Sequence, residues 1–226
     1  MSQVPVITID GLSGAGKGTV SKMLCIELGW NILDSGALYR TLTYLIDKKG
    51  IAINEFLQKQ EVLIKDFEVS FQIGSLGEPV SIFLKKEDIT NLVRTEEIAE
   101  KTSTFSSLKE IRDFIRPCQR AFKQPPGLVA DGRDMGTVIF PEADLKIYLT
   151  ASLEERAKRR EIQLKRLGTK VNMRILLDEL EARDRKDIER NLSPLKPAED
   201  SFVIDTTGLC PEEVLEKIRV FYRSLK

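Results

Sequence analysis

Residues 11–19 combine glycine, lysine and threonine in the spacing of a loop that binds phosphate: Gly-Leu-Ser-Gly-Ala-Gly-Lys-Gly-Thr. The frame from Gly11 to Gly16 and Lys17 matches the P-loop pattern, which needs a strand before it and a helix after it. An apolar run at 4–9 predicts the strand, and residues 19–28 predict the helix. Glycines let backbone N–H groups turn toward a polyphosphate, the helix N-terminus adds positive potential, and Lys17 adds a mobile charge.

The residue after the lysine departs from the usual pattern. P-loop proteins commonly have Ser or Thr at that place, whereas this chain has Gly18 and brings its hydroxyl one place later, at Thr19. A common P-loop ATPase therefore fits less well than a small phosphotransferase. A glycine-rich turn without a ligand is the alternative, and the flanking strand and helix argue against it.

The composition excludes several classes of function. The 226 residues suit one domain with at most small appended modules. The net charge is +0 although 31% of residues are charged, so the chain has no overall attraction to nucleic acid or to a membrane. It has no histidine, which removes the commonest general base, the usual hydrolase triads and most zinc sites. Phosphoryl transfer is unaffected, because it depends on positioning and on Lys, Arg and Mg²⁺.

No sign of export or of membrane insertion is found in the sequence. The N-terminus lacks the basic region and apolar stretch of a signal peptide, and no apolar run approaches the roughly 20 residues that span a bilayer. The three cysteines, Cys25, Cys118 and Cys210, are far apart and odd in number, which predicts reduced thiols and no metal site. We therefore expect a cytoplasmic protein, acting as a monomer.

Five short apolar segments, separated by helical stretches, predict the fold. They are residues 4–9, 31–33, 128–130, 145–149 and 202–204. Such runs are typical of strands that are buried on both faces. Their alternation with helices predicts an α/β fold of three layers, with a central parallel sheet and helices on both faces. Ligands of such folds bind at the carboxyl ends of the strands.

Residues 67–84 break this alternation. Apolar and polar residues alternate over 67–73, a turn follows at 74–77, and a second apolar segment covers 80–84. This pattern predicts an antiparallel hairpin with one wet face. The hairpin should therefore form a small insert outside the main sheet.

The helical stretch after the hairpin divides in two. Thr95 is placed to cap the first helix, and residues 107–110, Ser-Leu-Lys-Glu, have the capping-box spacing that would begin the second. Pro117 is expected to kink the second helix, because proline lacks an amide donor and crowds the preceding turn.

Polar residues follow the predicted strand at 31–33. Ser35 is expected to cap a helix from about residue 36, which places Arg40 a little over one turn in and near the strand ends. An arginine there can clamp a phosphate with two hydrogen bonds. A solvated surface arginine is the alternative.

The strand at 128–130 is followed by Asp131-Gly132-Arg133-Asp134. Asp131 comes directly after the apolar run, where many P-loop proteins hold Mg²⁺. Gly132 stands where ATP-hydrolysing machines place a general base, so such machines are disfavoured. An ordinary turn is the alternative, and it explains the motif poorly beside a P-loop, because strand ends of this fold converge on the ligand.

Three arginines follow the strand at 145–149. Arg156, Arg159 and Arg160 share one face of a predicted helix. A solvated face is one interpretation. The other is a mobile lid that closes over ATP phosphates and supplies arginine to the transition state.

A further helix, which Asn172 can cap, carries another charged face. Arg183, Asp187 and Arg190 have i, i+4, i+7 spacing and so align. They could form an internal salt bridge, or a site in which the arginines grip anions while Asp187 accepts a hydrogen bond from a ribose hydroxyl. Together with Lys17 and the other arginines near the strand ends, these arginines form an excess of positive charge. Two anionic substrates would balance it.

These motifs resemble those of the bacterial cytidylate kinases, of the nucleoside monophosphate kinase group, over essentially the whole chain. The specific pieces are residues 9–19, 33–40 and 130–137, and the hairpin resembles that family's enlarged monophosphate-binding region. The resemblance implies phosphoryl transfer from ATP to CMP or dCMP with Mg²⁺, and small nucleotides as the only partners. It also implies one P-loop kinase domain over 1–226, whose parts are a monophosphate-binding region at 36–127 with a β insert at about 67–90, and a helical lid at 153–170.

The resemblance also implies a role for each matching position. The ATP-binding residues would be Gly11, Leu12, Ser13, Gly14, Ala15, Gly16, Lys17, Gly18 and Thr19. The CMP-binding residues would be Ser35, Arg40, Ser103, Arg112, Asp131, Arg133, Asp134, Arg183, Asp187 and Arg190. The catalytic residues would be Lys17, Arg133, Arg156, Arg160 and Arg190. No residue is expected to bind the metal ion directly.

Two residues depart from the family pattern. Leu12 stands where the family usually has proline, and Pro117 lies in a helix that is often uninterrupted and basic. Pro117 is close to Arg112, which would read the cytosine with Ser35 and Asp134. An acid that accepts from the exocyclic amine suits cytosine better than uracil, which presents a carbonyl there.

Three other functions are alternatives. A kinase for another small acceptor, such as UMP or shikimate, would use the same donor loop. A nucleotide-dependent switch or binding module is disfavoured, because the chain has no Asn-Lys-x-Asp guanine-recognition motif. A nucleic-acid-binding protein that uses residues 156–166 is disfavoured by the zero net charge and the lack of interleaved aromatic residues.

Overall fold

Two β-sheets organise the protein. The structure, a computed structural model, describes residues 4–75, 77–166, 168 and 170–224. Its strands are β1 (Val6–Gly11), β2 (Asn31–Asp34), β3 (Val69–Gln72), β4 (Ser81–Leu84), β5 (Glu87–Asp88), β6 (Leu128–Gly132), β7 (Leu145–Thr150) and β8 (Phe202–Asp205). A parallel sheet has the order β2-β6-β1-β7-β8, and an antiparallel sheet has the order β3-β4-β5.

Helices connect the strands of the parallel sheet. They are α1 (Lys17–Leu28), α2 (Ser35–Lys48), α3 (Phe56–Asp66), α4 (Thr90–Val93), α5 (Glu96–Phe105), α6 (Lys109–Ala121), α7 (Leu153–Arg166), α8 (Met173–Glu189) and α9 (Pro211–Ser224). A 3₁₀ turn covers Ile53–Glu55, and a π-helical turn covers Met135–Ile139. None of the helices in the described ranges combines the length and the apolar character that a bilayer span requires.

The two faces of the parallel sheet belong to two separate hydrophobic cores. Successive side chains of a strand point to opposite faces, and β1 shows this directly. Val6 packs in one core with residues of α2 and α6, whereas Ile7 and Ile9 pack in the other with residues of α1 and α9. Each fully buried side chain of this kind contributes about 1.5–3 kcal/mol. The predicted three-layer α/β fold is therefore confirmed.

A third, smaller core joins α7 to α8, away from the sheet. It consists of Ala157, Leu176 and Leu180 with partly buried neighbours. These two helices thus pack mainly on each other. Helix α7 covers most of the predicted lid, of which residues 167 and 169 lie outside the described residues.

The predicted hairpin is present as β3 and β4, with Val69 opposite Leu84. Residue 76 of its turn lies outside the described residues. The alternating pattern buries Ile82 in the core that α2 and α6 share, so the insert packs on the main body. A third strand, β5, was not predicted, because two charged residues carry no strand signal of their own.

Two of the four predicted helix caps are wrong. Asp34, not Ser35, caps α2, and its Oδ1 accepts from the Ala37 amide at 2.8 Å. Leu108 occupies the N-cap of α6 without a side-chain bond, and the Ser107 hydroxyl donates instead to the Thr104 carbonyl, 2.7 Å away. At α2 a neighbouring acid takes the capping role, and at α6 a nearby backbone carbonyl engages the serine hydroxyl that would have capped the helix.

The other two caps are confirmed. Thr95 Oγ1 accepts from the Ile98 amide at 3.3 Å, at the start of α5. Asn172 Oδ1 accepts from the Arg174 amide at 3.0 Å, at the start of α8. Helix α6 continues through Pro117 as one element and ends four residues later, at Ala121.

Candidate active site

The loop between β1 and α1 turns its carbonyl groups toward protein donors. Leu12 O accepts from Lys17 Nζ at 2.9 Å, and Ser13 O accepts from Arg156 Nη1 at 3.1 Å. The Leu12 amide donates to the Leu149 carbonyl at 3.3 Å, a bond that a proline at this place could not make. The loop is therefore fixed from its carbonyl side.

Several amide groups of the same loop and of the start of α1 are left free. Among the described residues, the amides of Gly14, Gly16, Lys17 and Gly18 have no protein acceptor. Gly16 is left-handed, with φ of 92°, and directly precedes α1. Free amides at a helix N-terminus form an anion site, because the N–H groups and the helix dipole both favour negative charge. This geometry supports the predicted phosphate cradle.

Gly11 is required where β1 ends. A Cβ atom there would lie 1.9 Å from the Leu149 carbonyl oxygen, and φ is +144°. Strand β7 approaches the loop so closely that no side chain fits. The glycine thus lets the phosphate loop begin directly at the sheet edge.

Gly18, which replaces the usual hydroxyl residue, lies against an acid. A Cβ at Gly18 would lie 3.5 Å from Asp131 Oδ2. Asp131 is level with Ile9 of β1 and with Asp34 of β2, at the carboxyl ends of three adjacent strands. The side chain that the usual pattern places after the lysine would thus lie in ordinary van der Waals contact with this carboxylate.

Lys17 and Asp131 influence each other's charge, although no ion pair joins them among the described residues. Burial, followed by repulsion from Arg133, lowers the pKa of Lys17 to about 7. Burial raises the pKa of Asp131 to about 7, although Lys17 opposes this shift. Each group is thus held near the point where its charge is lost. A phosphate beside Lys17 would stabilise the ammonium form.

Two further arginines of this region are in direct ion-pair contact with no acid of the described residues. Among the described residues, neither Arg40 nor Arg183 makes an ion pair. Burial lowers the pKa of Arg183 to about 10, and repulsion from Arg133 and Arg40 adds to the shift. Burial also lowers the pKa of Arg40. This uncompensated positive charge fits an anionic ligand, which would relieve the repulsion.

Asp187 joins two of the predicted phosphate-binding arginines. Arg133 Nε donates to Asp187 Oδ2 at 2.9 Å, and Arg190 Nη1 lies 3.6 Å from Asp187 Oδ1. The predicted internal salt bridge of Arg183, Asp187 and Arg190 is therefore only partly present, because among the described residues Asp187 pairs with Arg190 and Arg133 and not with Arg183. Arg190 Nη2, however, is buried without a partner among the described residues. A cleft of about 390 Å³ is lined by Ser103, Asp187 and Arg190, among others.

The residues predicted to read the base lie where α2 meets α6. Arg112 Nη1 is 3.0 Å from Asp134 Oδ2, and each side chain is 6% exposed. The Arg112 guanidinium lies 5.9 Å from the ring centroid of Tyr39, which is one turn after Ser35 on α2. The structure therefore brings Arg112 and Asp134 into contact, beside the first turns of the helix that Ser35 begins.

The three arginines of α7 do not act as one exposed face. Arg156 is 4% exposed and bonded to Asp184 and to the Ser13 carbonyl, behind the phosphate loop. Arg159 donates to the Thr206 carbonyl at 2.7 Å. Arg160 pairs with Glu96 at the start of α5. The solvated face is therefore wrong for Arg156, and only Arg160 reaches across to the other half of the molecule.

Asp10 is a site residue that the sequence interpretation missed. Its carboxylate accepts from the Met135 amide at 2.9 Å and from the Gly136 amide at 2.8 Å. Burial raises its pKa to about 6, although both hydrogen bonds oppose the shift. Asp10 thus fastens the loop that carries Arg133 and Asp134 to the strand that carries the phosphate loop. A single acid at the end of an apolar strand was the available signal.

Gln119 was also missed. It is fully buried on α6, and its Nε2 donates to Ser35 Oγ at 2.9 Å. It follows Arg112 by seven residues, a spacing that puts both on one face of the helix. That periodicity was the signal that could have found it.

The site suits a metal ion that its substrate brings. In the described part of the chain, no cluster of three or more Asp, Glu, His or Cys side chains could hold a metal. Mg²⁺ commonly binds through one or two carboxylates, several waters and substrate phosphates. The single carboxylate of Asp131, beside the start of α1, fits such an arrangement.

A phosphate loop with free amides at the edge of a parallel sheet, together with two arginines that make no ion pair in the described part of the chain, defines a P-loop phosphotransferase. The family model for cytidylate kinase matches residues 7–224. The chain belongs to the cytidylate kinase family, and it is therefore a nucleotide-binding kinase.

Individual relatives support this membership. The cytidylate kinase of Pseudomonas entomophila (strain L48) is 50% identical over 219 residues, which cover 96% of this chain and 95% of the relative. That of Nitrosococcus oceani is 48% identical over 216 residues, with the same coverage. A solved structure of an uncharacterized protein from Eubacterium ventriosum shares the fold alone, with a TM-score of 0.50, 14% identity, and coverage of 97% of this chain and 99% of that one.

Proposed function

We propose that this enzyme transfers the γ-phosphoryl group of ATP to CMP or dCMP and releases ADP with CDP or dCDP. The observation that carries the proposal is that Arg40 and Arg183 make no ion pair among the described residues, while the phosphate loop has free amides and Lys17 lies within the electrostatic influence of Arg183. One anionic nucleotide would bind the arginines and another the phosphate loop. Membership of the cytidylate kinase family supports CMP as the acceptor.

On the donor side, residues 11–19 bind the ATP phosphates. The free amides of Gly14, Gly16, Lys17 and Gly18 cradle them, and Lys17 moves from the Leu12 carbonyl to the transferring phosphoryl group. The charge on Lys17 is then stabilised by the phosphate, which offsets the cost of its burial.

On the acceptor side, three groups of residues bind three different parts of the nucleotide. Arg40, Arg133 and Arg190 hold the CMP phosphate, and the buried, unpartnered Nη2 of Arg190 is one donor available to it. Ser103, Arg183 and Asp187 contact the sugar, in and beside the cleft that Ser103 shares with Asp187. The remaining residues, Ser35, Arg112 and Asp134, read the base.

The chemical step is a direct in-line displacement. A CMP phosphate oxygen attacks the γ-phosphorus of ATP, and no enzyme residue is phosphorylated. The second pKa of a phosphate is about 6, so the attacking oxygen is largely ionised at neutral pH and needs no general base. Positioning of two bound substrates can lower the barrier by roughly 7–11 kcal/mol, and the arginines stabilise charge on the transferring group.

Mg²⁺ accompanies ATP in this proposal. Asp131 and the hydroxyl of Thr19 would hold it, mainly through water, and the nucleotide phosphates supply the remaining ligands. The ion neutralises charge on the β- and γ-phosphates. No protein residue is proposed to bind it directly.

The lid, at 153–170, completes the site when both nucleotides are bound. Arg160 is the lid residue free to reach the phosphates, since its partner Glu96 is exposed on α5. Arg156 acts through the phosphate loop, because it donates to the Ser13 carbonyl of that loop. Closure also excludes water, which would otherwise hydrolyse ATP.

Product analysis with ATP, CMP and Mg²⁺ tests the proposal. We expect equal amounts of ADP and CDP, and a loss of at least about a thousandfold in kcat for Lys17→Ala, because charge stabilisation of phosphoryl transfer has this magnitude. Lys158→Ala, an exposed change on α7, is the matched control and should keep full activity. ADP formed without CDP, or near-normal kcat for folded Lys17→Ala, would contradict the proposal.

A further inference from the structure

The turn that follows α8 contains a residue with a strained backbone. Ser193 has a φ of 50°, in the left-handed region that residues other than glycine adopt uncommonly. Lys85, between β4 and β5, is the other such residue in the described part of the chain. Strain of this kind persists only where the surrounding structure enforces it, and it is concentrated at functional sites. The contacts of Ser193 therefore decide whether its strain has a function.

The backbone carbonyl of Ser193 contacts an arginine of the acceptor site. It accepts from Arg190 Nε at 2.6 Å. The Ser193 hydroxyl, by contrast, makes no hydrogen bond among the described residues. The dihedral angles of a residue set the direction of its carbonyl, so the left-handed φ is what turns this group back toward Arg190. Ser193 thus acts on the site through its backbone.

A second contact closes the turn on α8. The Leu195 amide donates to the Asp187 carbonyl, in the last turn of α8, at 2.8 Å, and the Leu195 side chain is buried. Asn191 and Leu192, at the tip of the turn, are exposed. The base of the turn is therefore anchored, while its tip lies at the surface and can accept a substitution at Ser193 without loss of the core.

The bond from Nε fixes the whole guanidinium group of Arg190. This group is planar, and its five N–H donors form a rigid fork. Ser193 holds Nε, and Nη1 lies 3.6 Å from Asp187 Oδ1, so two contacts set the plane of the group. The remaining nitrogen, Nη2, is buried and has no partner within the described ranges. The direction of this unused donor therefore depends on Ser193.

The surroundings of Arg190 make such a hold necessary. Burial lowers the pKa of Arg190, and repulsion from the nearby Arg112 adds to the shift. Without the Ser193 carbonyl, the Nε donor would lose its partner, which is costly at a site that is only 12% exposed. A side chain that is already held in its binding orientation loses less conformational freedom when the ligand arrives.

We propose that Ser193 is a positioning residue for the acceptor phosphate: its left-handed backbone turns its carbonyl to Arg190 and so aims Arg190 Nη2 at that phosphate. This inference rests on the proposed function, because it concerns the acceptor nucleotide of the same site. It assigns no role to the Ser193 hydroxyl.

Two substitutions separate the backbone of Ser193 from its hydroxyl. Ser193→Gly removes the hydroxyl but adopts the left-handed conformation freely. Ser193→Thr keeps the hydroxyl, but its β-branched side chain disfavours that conformation. With saturating ATP, we expect kcat/KM for CMP to stay within about twofold in Ser193→Gly and to fall roughly 3- to 10-fold in Ser193→Thr, the worth of one hydrogen bond. The KM for ATP should stay unchanged in both variants.

The control is Lys85→Thr, which puts the same β-branched side chain at the other left-handed position. It also removes an exposed ion pair with Asp66, a kind of pair that contributes little to stability. Lys85→Thr should lower the melting midpoint but leave kcat/KM for CMP unchanged. The melting midpoint is therefore measured for every variant.

A double-mutant cycle tests whether Ser193 acts through Arg190. Arg190→Lys removes the planar fork and the Nε donor, and it should lower kcat/KM for CMP by itself. Ser193→Thr should cause no further fall when it is added to Arg190→Lys, because residues that act through one contact are not additive.

Three results would overturn the inference. A fall for Ser193→Gly with none for Ser193→Thr would assign the role to the hydroxyl. A lower melting midpoint for Ser193→Thr with unchanged kcat/KM for CMP would show a merely structural role. Additive losses in the double variant would show that Ser193 does not act through Arg190. Failure of the proposed function is distinct from all three, because the unmutated enzyme would then not phosphorylate CMP at all.

Discussion

At the scale of single residues, the active site depends on charges that the fold leaves incompletely balanced. Arg40 and Arg183 have no acidic partner among the described residues, and Lys17 bonds only to a carbonyl. Buried charges are costly unless they are paired. Their retention at one edge of the sheet is the physical reason to expect anionic nucleotides there.

Asp134 should affect base choice more than donor binding. Asp134→Asn keeps an acceptor oxygen but removes the charge that pairs with Arg112 at 3.0 Å. We expect kcat/KM for CMP to fall by about 10-fold or more, as for loss of a charged hydrogen bond, while the KM for ATP changes little. Steady-state kinetics with each substrate varied in turn measure both. A selective loss of ATP affinity would refute the assignment, and the exposed change Asp113→Asn on α6 is the control.

The pH dependence of stability should report Asp131. Burial raises its pKa in the folded protein to about 7, above the ordinary value of 3.8. Between these values the unfolded chain binds fewer protons than the folded one, so the free energy of unfolding falls as pH rises from about 4 to 7. Asp10, with a pKa raised to about 6, acts in the same direction up to pH 6.

Asp131→Asn should therefore flatten this decline. The free energy of unfolding is measured by urea denaturation of the nucleotide-free protein at pH 5, 6 and 7. Between pH 5 and pH 7 it should fall by about 1 kcal/mol or more less in the variant than in the unmutated protein, since one pKa unit is 1.36 kcal/mol. Asp178→Asn, on the exposed side of α8, should keep the original slope. Parallel slopes for Asp131→Asn and the unmutated protein would rule this explanation out.

Single residues were predicted well only where a motif or a strand end marked them. The sequence places Lys17, Asp131 and Asp134 after apolar runs, and parallel strands bring such positions together. Asp10 and Gln119 were not predicted, because their hydrogen-bond partners are 125 and 84 positions away in the chain. The ion pair between Arg112 and Asp134 could not be predicted either, since no local sequence pattern shows which charged side chains are in contact.

At the scale of elements, the small sheet is tied to the helix that begins at the phosphate loop. Lys22 on α1 is 4% exposed, and its Nζ donates to the carbonyls of Ser75 and Glu78, each at 2.6 Å. These carbonyls belong to the connection between β3 and β4. The hairpin itself was predicted from its alternating pattern, but this attachment was not, because it joins positions more than 50 residues apart.

Lys22→Met should loosen this connection. The variant keeps most of the side-chain volume but leaves two carbonyls without their donor, so we expect the protein to lose about 1–3 kcal/mol of stability. Limited proteolysis should cut between β3 and β4 faster in the variant. Lys59→Met, on the exposed side of α3, is the control. An unchanged cleavage rate and melting midpoint for Lys22→Met would show that the hydrogen bonds of Lys22 do not hold the hairpin.

At the scale of the whole molecule, the order β2-β6-β1-β7-β8 explains why distant segments form one site. The loops after β1, β2 and β6 leave the same edge of the sheet and carry the phosphate loop, Asp34 with Ser35, and Asp131 to Asp134. The parallel sheet with helices on both faces was predictable, because short apolar runs between helices leave few alternatives. The pairing of α7 with α8 was not, because it depends on side-chain packing beyond the sheet.

The central claim is that two nucleotides meet at this edge, ATP on the phosphate loop and a cytidine monophosphate opposite. The most direct test is kcat/KM for a panel of acceptors, CMP, dCMP, UMP, AMP, GMP and shikimate, with ATP and Mg²⁺. The account predicts that CMP or dCMP exceeds every other acceptor by at least about tenfold, since Asp134 and Arg112 are placed to read the amine edge. Efficient turnover of UMP or shikimate with little turnover of CMP and dCMP would contradict it.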